Sequence, residues 1–187
     1  MRKESTPNKE LILQEGWRLF QQKGYRGVST DELCERCSIT KPTLYYYFQD
    51  KENLFVQILT SKLQELHQGL SVEGNFKERL SAFSQALLTN FQTGYSVLVH
   101  DRTHIKKPEN RTAIQTAFRT ELFDPLMRLM QDGILEGTLQ PANTEFLTLV
   151  FLGIINNFLG RENSFDLEQN ALIALLVDQF IDGAKKK

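Results

Sequence analysis

Cysteine, histidine and long apolar runs are all scarce in this chain of 187 residues. Its two cysteines cannot build a disulfide framework. They stand as Cys34-Glu35-Arg36-Cys37, formally a CxxC. A structural zinc needs about four ligands, and no second pair or nearby histidine completes the set. A thioredoxin-like motif needs a strand-to-helix junction, and no strand alternation precedes these residues. They read as small core residues, since buried cysteine behaves as a small hydrophobe, with a thiol switch as the alternative. His100 and His104 lie four apart with Asp101 between them, a spacing that chelates a metal on a helix. Yet Ser96 to Pro108 lacks a regular helical pattern, and a third ligand is not evident. A nucleophile elbow, a glycine-rich phosphate loop and a carboxylate-rich metal motif are all missing. The enzyme reading is therefore confined to a metal-dependent hydrolase using His100, Asp101 and His104. No apolar run approaches the ~20 residues that span a bilayer, and Met1 to Asn8 is polar, unlike a secretory leader. A cytoplasmic location is expected.

Charge of one sign is also lacking. The formal net charge is −1, which excludes a protein that coats nucleic acid through bulk positive charge. Residues 1–62 hold ten Lys/Arg against eight Asp/Glu, so the head is mildly basic and the remainder acidic. Hydrophobic residues make up 41% of the chain and charged ones 24%, enough for a packed core and too apolar for a disordered chain. No internal repeat or low-complexity segment occurs.

The stretch from Thr30 to Lys51, TDELCERCSITKPTLYYYFQDK, carries the strongest local signal. Thr30 suits an N-cap, with Asp31 and Glu32 in the first turn where the helix dipole favours carboxylates. Leu33, Cys34 and Cys37 give one small apolar face. Ser38 and Ile39 break the run, Thr40 caps a second helix, and Pro42 is tolerated in its opening turn. Leu44 and Phe48, four apart, face inward. Lys41, Thr43, Tyr46 and Tyr47 then point largely outward, with Tyr45 at the margin. Hydroxyls on rigid aromatic arms, flanked by Lys41 and Lys51, suit phosphates and base edges. The pattern is a helix-turn-helix with a recognition helix.

Gly24-Tyr25, Val28-Ser29-Thr30, Thr43-Leu44-Tyr45-Tyr46-Tyr47-Phe48 and Lys51-Glu52-Asn53-Leu54-Phe55 together resemble the N-terminal domain of TetR/AcrR-type transcriptional repressors. The resemblance spans about residues 6 to 66. It implies that Lys41, Thr43, Tyr45 and Tyr47 meet bases or backbone in the major groove, while Thr30, Thr40, Tyr46 and Lys51 mostly hold phosphates. Two departures stand out: Cys34 and Cys37 replace the family's small residues, and Ser38 occupies a turn where the family favours glycine.

The rest of the chain reads as helix after helix. Thr6-Pro7 opens the first, and Gly24 stops it. From Asp50 a helix runs to about His67, too long for a three-helix head, and connects head to body. Phe76 starts another, ending at Gly94-Tyr95. Glu109 to Gly137 reads as one long helix that Pro125 bends or interrupts. Residues 145–160 are apolar on nearly every side, and about Asp166 to Ala184 repeats the theme. A helix apolar all round must be buried all round. The expectation is two such helices per subunit in an isologous four-helix interface, with Phe151, Ile155, Phe158, Leu172, Leu176 and Phe180 at the contact.

The expected fold is all-α with about nine helices: a three-helix DNA-binding domain over residues 6–66, its helix-turn-helix about 29–48, and a helical regulatory and dimerisation domain over 67–187. The expected function is a ligand-responsive repressor that binds a near-palindromic double-stranded operator as a homodimer, with no cofactor. The resemblance implies an effector among the central helices, lined by Phe83, Phe91, Tyr95, Phe118 and Phe151, with His67, His100 or Asn156 as polar contacts. The competing readings are the hydrolase and a helical interaction module that does not bind DNA.

Overall fold

The computed structural model describes residues 9–68, 72–91, 102–160 and 166–185. Among them the architecture is all-α, with nine α-helices, a short 3-10 turn at Arg102–His104 and a π-helical turn. The expected Thr6-Pro7 start lies outside the described residues. Helix α1 (Lys9–Gly27) carries the break foreseen at Gly24, whose φ of 67° and ψ of 171° interrupt the helical ladder. Helix α2 (Thr30–Arg36) is capped by Ser29, whose hydroxyl accepts the Glu32 N–H at 3.1 Å. This corrects the assignment of Thr30 as cap: Ser29 has the extended backbone that a cap needs, and Thr30 is already helical. Helix α3 (Lys41–Phe48) is capped by Thr40, as expected. Helix α4 (Lys51–Gln68) is opened by Asp50, whose carboxylate accepts the Asn53 N–H at 2.8 Å.

These four helices close on Ile12, Phe20, Leu33, Leu44, Phe48, Leu54, Phe55 and Ile58, all at 1% exposure or less. Phe20 meets Phe55 edge to face at 5.0 Å. Gly16 allows the close approach of α1 and α4, since a Cβ there would stand 2.6 Å from Ile58 Cδ1.

In the body, α5 (Phe76–Asn90) begins with a full capping box between Asn75 and Glu78. It ends at Asn90, with Phe91 extended, and the expected end at Gly94-Tyr95 lies outside the described residues. The long helix expected from Glu109 is three pieces: α6 (Pro108–Ala117), a π-helical turn Phe118–Phe123, and α7 (Asp124–Leu135). At the junction the Asp124 N–H reaches back five residues to the Arg119 carbonyl. The wider turn places Pro125 in the opening turn of α7, where its missing N–H and bulky ring are tolerated. Helices α8 (Thr144–Asn156) and α9 (Gln169–Ala184) complete the body. Its core holds a row of rings, Phe83 to Phe151 at 6.3 Å and Phe151 to Phe180 at 5.0 Å.

Two compact units result: Met1–Ser61 with Val97–Gln115, and Lys62–Ser96 with Thr116–Lys187. The boundary expected at residues 66 and 67 is therefore redrawn. The head unit includes a later segment, held by polar contacts that a linear division misses.

Helix α8 corrects the expected contact surface. Phe151, Ile155, Leu172, Leu176 and Phe180 are at 6% exposure or less within the single chain, because they form the seam between α8, α9 and the rest of the body. Phe158 follows the end of α8 and is half-buried. The opposite face of α8 is left uncovered, with Phe146 at 62%, Leu149 at 54% and Val150 at 38% exposure. Leu175 on α9 is 49% exposed. The helix is apolar all round, and the chain by itself buries one side of it.

Candidate nucleic-acid interface

The turn between α2 and α3 is built from backbone bonds: Ser38 N–H to Glu35 carbonyl at 3.1 Å and Ile39 N–H to Cys34 carbonyl at 2.9 Å. Ser38 sits at φ 52°, the left-handed region that costs a side-chain-bearing residue energy. Leu44 and Phe48, both at 1% exposure, fix the inner face of α3. The spacing then turns Lys41, Thr43, Tyr45 and Tyr46 outward. Tyr46 is 83% exposed and Tyr45 41%. Tyr47 is half-buried, its ring edge-on to Tyr46 at 5.4 Å and tilted against Phe48 at 6.2 Å. Thr40 Oγ1 accepts the Thr43 N–H at 3.4 Å and lies 3.0 Å from Thr43 Oγ1.

Lys41 pairs with Asp31 at 2.8 Å across the turn. The hydrogen bond to Asp31 and then its charge raise the Lys41 ammonium pKa, so the cation persists at any ordinary pH. Lys51 also makes contacts inside the head. Its Nζ donates to the Val28 carbonyl at 2.6 Å and lies 4.5 Å from the centre of the Tyr25 ring. It braces the loop between α1 and α2. Thr30 is half-buried in the first turn of α2. Lys23 is tied to Glu32 at 2.5 Å.

Just after α3 in the chain, Asp50, Glu52 and Asn53 join a polar cluster that the sequence pattern does not announce. Glu52, at 8% exposure, accepts the backbone N–H groups of Lys106 and Lys107 and the side-chain amide of Asn110, each at 2.9 Å. Lys107 Nζ adds an ion pair to Asp50 at 2.6 Å and a bond to Asn53 Oδ1 at 3.2 Å. Burial pushes the Glu52 carboxyl up, but the Lys106 N–H, the Asn110 amide and the Lys107 N–H outweigh it and hold the pKa below its usual range. Asp50 is likewise lowered: burial opposes, while the Lys107 ammonium and the Asn53 N–H prevail. One clue to Glu52 was available, because it stands on the same stripe as the buried Phe55, Val56, Leu59 and Leu63.

The two cysteines are free and buried. Burial first, then the carboxylate of Glu15, then Cys34, raise the Cys37 thiol to about 11. Cys34 is also raised, by burial and by Asp31, with Lys41 opposing. Thiols so held remain protonated at neutral pH and are poor nucleophiles.

Among the residues expected to touch an effector, Phe83, Phe91 and Phe151 are fully buried core and Phe118 is half-buried. Asn156 lies at the end of α8. Tyr95 and His100 lie outside the described residues, as does Asp101 of the alternative metal cluster. His104 belongs to the 3-10 turn, and the described residues hold no group of three ligating side chains placed for a metal ion. His67, another expected contact, lines a groove. Its Nδ1 is 2.7 Å from Glu121 Oε2 of the π-helical turn. The groove has a volume of about 350 Å³ and is lined by His67, Arg79, Pro125, Arg128, Leu129, Gln131 and Asp132. No described helix is long and apolar enough to cross a membrane.

Residues 12–58 match the model of the bacterial regulatory proteins, tetR family. The chain is 26% identical over 155 residues, 79% of its own length and 80% of the relative's, to the uncharacterized HTH-type transcriptional regulator YhgD of Bacillus subtilis. It is 33% identical over 88 residues, 44% of each chain, to the HTH-type transcriptional repressor NemR of Escherichia coli. The solved structure of AibR, in complex with isovaleryl coenzyme A and operator DNA, superimposes with a TM-score of 0.70 at 23% identity, covering 93% of this chain and 96% of that one.

Proposed function

From the premise that this chain is a TetR-family transcriptional regulator, we propose that it is a ligand-responsive repressor that grips a near-palindromic operator as a homodimer. The observation that carries this reading is the outward face of α3, where Lys41, Thr43, Tyr45 and Tyr46 are presented together while Leu44 and Phe48 lock the helix from behind. Lys41, Thr43, Tyr45 and Tyr47 meet bases or backbone in the major groove. Thr30, Thr40 and Tyr46 hold flanking phosphates and set the register. Lys51 contributes by keeping the Val28 loop in place.

One such helix reads only a few base pairs, so two heads at a fixed separation read two half-sites. The uncovered apolar strip of α8 and α9, with Phe146, Leu149, Val150 and Leu175, supports pairing of two copies. In this reading the pairing surface is the exposed face of α8, turned away from Phe151 and Ile155, which close the core. A ligand that prefers the arrangement unable to span both half-sites lowers DNA affinity. A coupling of ~1–3 kcal/mol gives a loss of about 5- to 150-fold. Such a protein works where the chromosome lies, in the cytoplasm. The name of NemR as a repressor, and the effector and operator in the AibR complex, support the reading by analogy.

The test is selection of bound duplexes from a random pool by the purified protein, followed by the same measurement on Tyr46→Ala. Recovery of a two-half-site sequence, lost in the variant while the dimer persists, supports the proposal. Equal retention of all duplexes by wild type and variant overturns it and leaves a helical interaction module.

A further inference from the structure

The groove beside His67 lies within the second unit, between the last turn of α4, the first turn of α5 and the face of α7. Its volume of about 350 Å³ falls at the small end of pockets that hold discrete molecules. Most of its polar groups already have partners. Arg79 Nη2 bonds Asp132 Oδ2 at 2.7 Å, and His67 bonds Glu121 at 2.7 Å. Arg128 differs: it is exposed, and among the described residues it has no carboxylate within ion-pair distance. One turn before it stand Pro125 and, beside it, the buried Leu129, an apolar wall on the same side of α7. An unneutralised guanidinium next to an apolar wall is complementary to a molecule with an oxyanion at one end and hydrocarbon at the other.

We propose that this groove binds a small organic oxyanion, a carboxylate or phosphate monoester on a short hydrocarbon body, with Arg128 as its charged fork and His67 as a second polar contact. Because Glu121 shares His67 and belongs to the π-helical turn ahead of Pro125, the bound anion competes with Glu121 for that ring. The binding step stands by itself. Its effect on operator affinity rests on the regulator reading above.

Hexanoate, hexyl phosphate and neutral hexanamide serve as probes, each titrated calorimetrically into the full chain. At least one of the two anions binds, hexanamide binds about tenfold or more weaker, and Arg128→Gln loses about tenfold or more of the anion affinity. Binding of hexyl phosphate alone makes the ligand a phosphate ester, and binding of hexanoate alone a carboxylic acid. Arg128→Lys, which keeps the charge without the fork, falls between wild type and Gln. Unchanged anion affinity in Arg128→Gln, equal binding of hexanamide, or no anion binding at about 10 mM overturns the proposal. Operator binding by ligand-free protein is measured separately, so a chain that ignores DNA yet binds the anion sinks only the regulator reading.

Discussion

Glu52 and Asn110, 58 positions apart and both at 8% exposure, meet through an amide-to-carboxylate hydrogen bond of 2.9 Å. With the N–H groups of Lys106 and Lys107 on the same carboxylate, this contact fastens the start of α6 to the start of α4, immediately after the recognition helix. The carboxylate faces the amino end of a helix, where negative charge is favoured.

The Glu52 pKa is lowered in the folded protein, so its contribution is present above its unfolded value of about 4.3 and is lost as pH falls through the folded value. Stability of the wild type should therefore decline as the solution is acidified below about pH 5. Glu52→Gln should cost about 2–3 kcal/mol at neutral pH and flatten that decline. Urea unfolding at pH 7 and pH 4 measures both effects. An unchanged midpoint in the variant refutes the assignment.

Tyr46 and Lys51 should separate in their behaviour. Tyr46→Ala removes an 83% exposed ring and should leave stability within about 0.5 kcal/mol, while the loss of its phosphate contact in both heads weakens operator binding about tenfold. Lys51→Ala removes the bond to the Val28 carbonyl and the contact with the Tyr25 ring, and should lower stability by about 1–3 kcal/mol. Thermal unfolding beside a gel-shift titration distinguishes them.

With its thiol at about 11, Cys37 should carry about two orders of magnitude less thiolate at pH 8 than an ordinary cysteine. Native protein should react slowly with iodoacetamide, and protein in urea rapidly. Mass spectrometry of the labelled chain reads the difference; equally fast labelling of the native protein contradicts it.

Ser38 at φ 52° offers a stabilising substitution. Ser38→Gly should gain about 0.5–1 kcal/mol, because relief in the left-handed region exceeds the added freedom of the unfolded chain. A drop in melting temperature would contradict this account of the turn.

Leu149→Glu places a charge on the exposed strip of α8 and should give a folded monomer by light scattering. Phe180→Ala, inside the core at 4% exposure, should instead cost about 3–5 kcal/mol of chain stability. A Leu149→Glu protein that remains dimeric argues for a different contact.

Much of the head was legible from the amino acids. Leu44 and Phe48, four apart on a helix opened by Thr40 and Pro42, leave one choice of inner face, and the structure has that face buried. Elsewhere local pattern is insufficient. A proline in a long apolar-periodic segment announces a disturbance, yet nothing local tells a kink from the π-helical turn found before Pro125. Helix α8 is apolar on nearly every side, so large side chains compete for the core on both of its faces. Tertiary packing chose Phe151 and Ile155 and left Phe146 and Leu149 outside. The role of Glu52 is not legible locally, since its partners lie more than fifty positions away.

The strip of Phe146, Leu149 and Val150, taken as the seam between twins, has a genetic corollary. A copy whose reading helix is ruined but whose strip is intact still recruits sound copies into mixed, one-handed pairs. Such an allele should be dominant over the wild type, and a second lesion at Leu149 should make it recessive again.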